Sequence, residues 1–208
     1  MQSSTYKLLE FFLAFIVVPV SFVFDYSVLM KMLIGVSGFL YIIVVLLGVE
    51  KKQFKIPKGL HWKLFLKQTM LKLIAIVVIT TIYIWLFDKS SLFSVVLNKP
   101  LLWLTILFIY SFFSVYPQEL IYRTFFFQRY QTLFQSEKLF IFINAIVFSM
   151  AHLFFKNTLV LVLTFLGGLL FALTYQKTKS TLFVSIEHAI YGCWLFTVGM
   201  GNMLGFPS

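Results

Sequence analysis

The sequence predicts an all-α protein, a polytopic membrane bundle of about eight spans, and three observations carry that expectation. Apolar residues fill 61% of 208 positions and charged residues only 12%, whereas a soluble domain is about half apolar and about a quarter charged. Mean hydropathy is +0.96. Apolar runs of near-spanning length recur along the whole chain, and about 20 residues are needed to cross about 30 Å of hydrocarbon.

The first run, residues 8–24, has Lys7 before it and no small-residue cleavage site after it, so it reads as a retained span kinked by Pro19. Asp25-Tyr26-Ser27 turns the chain into a second span, residues 29–49. Residues 50–72 then change character, with Lys51, Lys52, Lys55, Lys58, Lys63, Lys67 and Lys72 around a break at Pro57 and Gly59. Trp62, Phe65, Leu66 and Met70 fall at helical spacing, so residues 60–70 read as a cytoplasmic interfacial amphipathic helix with His61 at its edge.

A third span follows over residues 73–87, an outer loop over 88–99, and a fourth span over 100–115 that Pro117 ends or kinks by removing a backbone donor. Residues 124–134 are read as a short fifth span, because that crossing returns His152 toward the side of Glu119. Spans at 139–155, 159–175 and 181–200 complete the set. Gly167, Gly168 and Ala172 mark a close helix approach. Both termini then lie inside, and Lys177 and Lys179 fall outside, against the positive-inside tendency. Residues 1–208 are read as a single integral membrane domain, with a basic cytoplasmic segment at 50–72 and core helices for chemistry at 100–200.

The net charge of +10 sits in loops between apolar runs, which points to an anionic membrane surface rather than to nucleic acid. The partners expected are the lipid bilayer and a peptide or protein substrate at it, with no nucleic acid. A single cysteine, Cys193, excludes an intramolecular disulfide and reads as packing.

Few polar groups stand inside the apolar runs: Gln118, Glu119, Arg123, His152, Glu187 and His188, with hydroxyls and amides besides. Ionisable groups in hydrocarbon are costly and mark functional positions. Glu119 and Arg123 stand four residues apart, the helical spacing at which an acid and a base can pair. Phe148 and His152 share that spacing. A carboxylate with one or two imidazoles in a low-dielectric site suits general-base activation of water, with other donors stabilising the oxyanion. Arg123 would hold Glu119 ionised. Glu119, His152 and His188 also match a catalytic zinc ligand set, so metal-free chemistry and a divalent metal such as zinc both stay open. Taken singly, the Glu119–Arg123 pair could be a structural ion pair and His152 an interfacial histidine.

The order E-x-x-x-R (Glu119, Arg123), F-x-x-x-H (Phe148, His152) and a histidine in the last span (His188) resembles the CAAX-processing and bacteriocin-self-immunity membrane proteases, the CPBP or Abi family. The resemblance implies an intramembrane endopeptidase with an eight-helix core and a catalytic cavity that opens to the cytoplasm. It implies a glutamate and the first histidine as activators of water, and the last histidine with an asparagine as holders of the oxyanion. A bacterial relative would reside in the cytoplasmic membrane. Two positions depart from the pattern. Gln118 stands where the first of two glutamates is expected, and Gly192, followed by Cys193, stands where the asparagine is expected. Those departures keep a catalytically silent binding or immunity protein as a second expectation. A small transporter is a third, weakened by the absence of a visible inverted repeat.

Overall fold

The computed structural model describes residues 3–52 and 61–205. The expected break at Pro57 and Gly59, Lys55, Lys58 and the tail from Phe206 lie outside them. Every regular element among the described residues is helical. Seven helices are long and apolar enough to cross a membrane: α1 (Ser4–Ser21), α2 (Val28–Val49), α3 (Trp62–Phe87), α4 (Pro100–Leu133), α5 (Glu137–Phe155), α6 (Thr158–Thr178) and α7 (Thr181–Val198). The protein is an integral multi-pass membrane protein.

Local chemistry sets the helix starts. Ser3, Ser27, Ser136, Asn157 and Ser180 each accept, through the side chain, a backbone N–H from the first turn, which satisfies a donor the helix itself cannot. In the loop after α3, hydrogen bonds from Ser91 and Ser90 hold the Asp88 carboxyl below its usual pKa.

Two expectations are corrected here. Residues 60–70 and 73–87 do not form an interfacial helix and a separate span; from Trp62 onward they are the one 26-residue helix α3. No glycine or proline between Trp62 and Phe87 stops it. The short fifth span at 124–134 is the end of α4, which runs 34 residues through Pro117. A proline inside a helix normally clashes with the carbonyl four residues back. Here the wide π-turn Tyr110–Val115 precedes Pro117 by two residues, and the π-turn Leu13–Val17 precedes Pro19 in the same way. A widened turn moves the carbonyls away from the ring and lets the helix continue.

The chain forms two compact units, one of residues 1–56 and 120–179, the other of residues 57–119 and 180–208. In the first, α1 packs on the later part of α4 and on α5, α2 on the later part of α4, and α6 on α5 and α4. Its core is aromatic: Phe15 meets Phe126 at 5.2 Å, and Phe126 meets Phe140 at 5.2 Å. Gly168 of α6 lies so close to α5 that a Cβ there would sit 3.1 Å from Ala145 Cα, the close approach that small residues permit.

Charged groups gather at the ends of this unit. Arg129, near the end of α4, donates to Glu10 of α1 at 2.8 Å and to Glu50, just past α2, at 2.8 Å. Lys7 Nζ reaches the Arg129 carbonyl at 3.2 Å. Lys179, after α6, lies 5.6 Å over the Phe127 ring. At the other ends of these helices, Lys156 pairs with Asp25 at 3.5 Å.

The second unit holds α3, the early part of α4 and α7. α3 faces α7 through Phe65, Thr69, Thr80 and Ile84, all buried. Phe65 stacks on Phe183 at 4.4 Å, Trp194 donates to Thr80 at 2.9 Å, and Trp103 donates to Thr197 at 3.0 Å.

Candidate active site

In the second unit the structure brings Glu119 and His188 together. His188 Nδ1 lies 2.7 Å from Glu119 Oε1, with the carboxylate side chain 0% and the imidazole side chain 8% exposed. Glu119 closes the short α-helical turn after Pro117, and a further π-turn, Leu120–Phe125, follows it. Such wide turns are frequent at functional sites. His188 is in the second turn of α7. A carboxylate only accepts hydrogen bonds, so with Glu119 ionised the proton of a neutral His188 sits on Nδ1 and the lone pair on Nε2.

α7 presents His188, Gly192 and Phe196 at four-residue steps, one stripe of a helix. Tyr110 lies along that stripe, edge-on to His188 at 5.9 Å between ring centroids and to Phe196 at 4.8 Å. A Cβ at Gly192 would run into the Tyr110 hydroxyl and ring, so the space a side chain at 192 would use is filled by the phenol. Cys193 packs beside it, its Sγ 3.5 Å from Ser111 Oγ.

Gln118 turns its amide to Ser114 Oγ at 2.7 Å, while its Oε1 is buried with no partner among the described residues. Glu187 points away from this stripe toward α3. It takes Lys72 Nζ at 2.6 Å and the Tyr191 hydroxyl at 2.9 Å on the same oxygen.

His152, Arg123 and Phe148 belong to the first unit. Arg123 is fully buried and donates to Asn144 Oδ1 at 2.7 Å and, more weakly, to the carbonyls of Tyr122 and Gly168. Its guanidinium lies 4.6 Å over the Phe148 ring, and that ring packs on His152 at 5.1 Å. Phe148 is thus the plate between a cation and an imidazole. His152 Nδ1 is 2.9 Å from the Phe148 carbonyl. A carbonyl also only accepts, so His152 too carries its proton on Nδ1 and its lone pair on Nε2.

Asn144, Tyr110, Lys72 and the Glu10–Arg129–Glu50 cluster were not singled out by the sequence. An amide in the middle of an apolar run was the one available signal for Asn144; the ion partners stand 119 and 79 residues apart. Among the described residues no group of three or more His, Cys, Asp or Glu is placed to hold a metal ion. A cavity of about 390 Å³ lies between α1 and α2, lined by apolar side chains with Glu10, Tyr6 and Tyr41 at one end. It takes in none of Glu119, His152 or His188.

Residues 100–194 match the family model described as type II CAAX prenyl endopeptidase, Rce1-like. No curated protein and no solved structure matches the chain. The matched stretch begins at the first residue of α4, ends within α7 and takes in Glu119, Arg123, Phe148, His152 and His188. The CAAX-protease side of the resemblance read from the three motifs is thus what residues 100–194, just under half of the chain, are similar to.

Proposed function

We propose that the protein hydrolyses a peptide bond in a membrane-associated peptide or protein, with Glu119 and His188 as its central acid–base pair and His152 as a second imidazole. The observation that carries this reading is the 2.7 Å contact between His188 Nδ1 and Glu119 Oε1 in a buried setting. A carboxylate on one imidazole nitrogen fixes the tautomer and stabilises the imidazolium that forms when the other nitrogen takes a proton.

In the proposed reaction, His188 Nε2 removes a proton from water as the water oxygen attacks the scissile carbonyl carbon. The carbonyl π pair moves onto its oxygen. When that oxyanion collapses, the C–N bond breaks and the proton passes from His188 to the leaving nitrogen, giving a carboxylic acid and an amine, which exchange the remaining water proton to leave as carboxylate and ammonium. His152 carries a lone pair of its own on Nε2, its tautomer set by the Phe148 carbonyl.

Comparative proteomics of cells carrying Glu119→Gln against wild type tests this. An uncut precursor is expected to accumulate with Glu119→Gln, His152→Ala and His188→Ala while the membrane protein itself persists. Unchanged processing in all three would overturn the proposal. Sequencing the precursor names the substrate, and the fraction it sediments with tests the bacterial cytoplasmic membrane as the site of action. Metal content of the purified chain decides the zinc alternative.

Gln118 favours a second reading. Its buried Oε1 cannot take up a proton as a carboxylate would, which suits a catalytically silent binding or immunity protein. Protection against a bacteriocin that survives Glu119→Gln and His152→Ala would support that reading.

A further inference from the structure

We propose that the Tyr110 hydroxyl is a catalytic hydrogen-bond donor, set to hold the scissile carbonyl oxygen as it becomes negative. This rests on the endopeptidase reading and adds to it a residue that no motif assigns.

Three observations carry it. Tyr110 borders the acid–base pair, its ring edge-on to the same His188 that Glu119 orients. The fold makes room for its hydroxyl, since any side chain at Gly192 would collide with it. Its hydroxyl makes no hydrogen bond among the described residues, and it is not one of the sealed-in polar atoms without a partner, so it is open to an incoming acceptor.

A phenol serving only to fill the notch would be better as phenylalanine, which leaves no polar atom to satisfy. This chain uses Phe 27 times and Tyr 10 times, so the hydroxyl at 110 is a departure from its habit. A phenol is also a neutral donor at pH 7. It costs little beside a resting substrate carbonyl and strengthens as charge develops, which is the preference for the transition state that accelerates a reaction.

The ring is held independently of the hydroxyl, by His188 and Phe196. Tyr110→Phe therefore removes the donor and keeps the packing. In α4 the residue opens the π-turn Tyr110–Val115, so the widening that accommodates Pro117 begins at the residue that faces His188.

The test uses the purified full chain in lipid nanodiscs and an internally quenched, S-farnesylated peptide as probe. Wild type, Tyr110→Phe, Gly192→Ala, the double variant and Glu119→Gln are compared, with thermal unfolding as the check on fold. Tyr110→Phe is expected to lower kcat by about 100-fold with KM little changed, the size of loss seen when one oxyanion donor is removed. Gly192→Ala pushes the ring together with its hydroxyl from its place beside His188 and is expected to lose at least that factor. Tyr110→Phe keeps the ring atoms that a Cβ at 192 meets, so the double variant is expected to fall as far as Gly192→Ala and further than Tyr110→Phe. Full kcat in Tyr110→Phe, with Glu119→Gln inactive, would overturn this inference and leave the endopeptidase reading standing. No cleavage by wild type would remove the endopeptidase reading, and this inference with it.

Discussion

Glu119 and Arg123 are both fully buried, and each meets a partner brought from another helix: Glu119 the imidazole of α7, Arg123 the amide of Asn144 on α5. Asn144 works in both directions, since its Nδ2 donates to the Tyr122 carbonyl at 2.7 Å while its Oδ1 takes the guanidinium. Asn144→Ala removes the acceptor from a buried cation and the donor from a buried carbonyl. A loss of about 1–3 kcal/mol in stability is expected, read as a lowered unfolding midpoint in detergent; an unchanged midpoint would show that Arg123 is held by its other contacts. Glu119, His152 and His188 stood out in the sequence as candidates because ionisable groups in hydrocarbon are rare and expensive. Asn144 and Tyr110 did not, because a single amide or phenol in an apolar helix has the same one-dimensional signature whether it packs, bonds or reacts. Glu187 was ambiguous for the opposite reason. Next to His188 in sequence, it is turned about 100° from it on a helix, and only the fold shows that this face meets Lys72.

Among the helices, existence was far easier to read than limits. Each long helix has a run of apolar residues behind it, and the caps at Ser27, Ser136, Asn157 and Ser180 stand where polar residues interrupt those runs. Pro117 left open whether its helix ends or kinks; the helix continues, and nothing in one sequence announces the π-turn before the proline. A close neighbour for α6 was legible, since Gly167, Gly168 and Ala172 offered the small surface that two close helices need; which helix it is was not. The structure puts the crossing at Gly168, with Ala145 opposite. Gly168 also lends its carbonyl to Arg123 at 3.4 Å, so helix spacing and the buried cation depend on the same residue. Gly168→Ala forces a backbone-to-backbone contact apart and is expected to cost about 1–3 kcal/mol, the range for overpacking in a filled interior. Gly35 and Gly38 of α2, where a Cβ meets nothing within 4 Å, supply the control: alanine there is expected to leave the unfolding midpoint unchanged or to raise it, because alanine is the better helix former.

At the scale of the whole molecule, the number of crossings decides which loops face the cytoplasm. An eight-span count left Lys177 and Lys179 outside; with α4 as one crossing, both come inside with Lys51, Lys52 and Lys138, as the positive-inside tendency requires. The contacts within the first unit agree. Arg129 ties the end of α4 to Glu10 near the start of α1 and to Glu50 after α2, which demands that these three helix ends share a side. Lys179 belongs with them: it lies over Phe127, and its pKa is lowered by burial, with Glu137 opposing and Lys52 adding to the shift. Asp25 and Lys156 pair at the opposite ends of their helices. At about 1.5 Å per residue, the 34 residues of α4 extend beyond a hydrocarbon layer of about 30 Å, so Arg129 and its two carboxylates can lie in the interface rather than in lipid. Cysteine labelling checks the arrangement. In a Cys193→Ser background, Lys179→Cys is expected to resist a membrane-impermeant maleimide in intact cells and to react in inside-out vesicles, while Lys156→Cys does the reverse. The opposite pattern would restore the extra crossing at residues 124–134 and would separate the end of α6 from the side that holds Lys52.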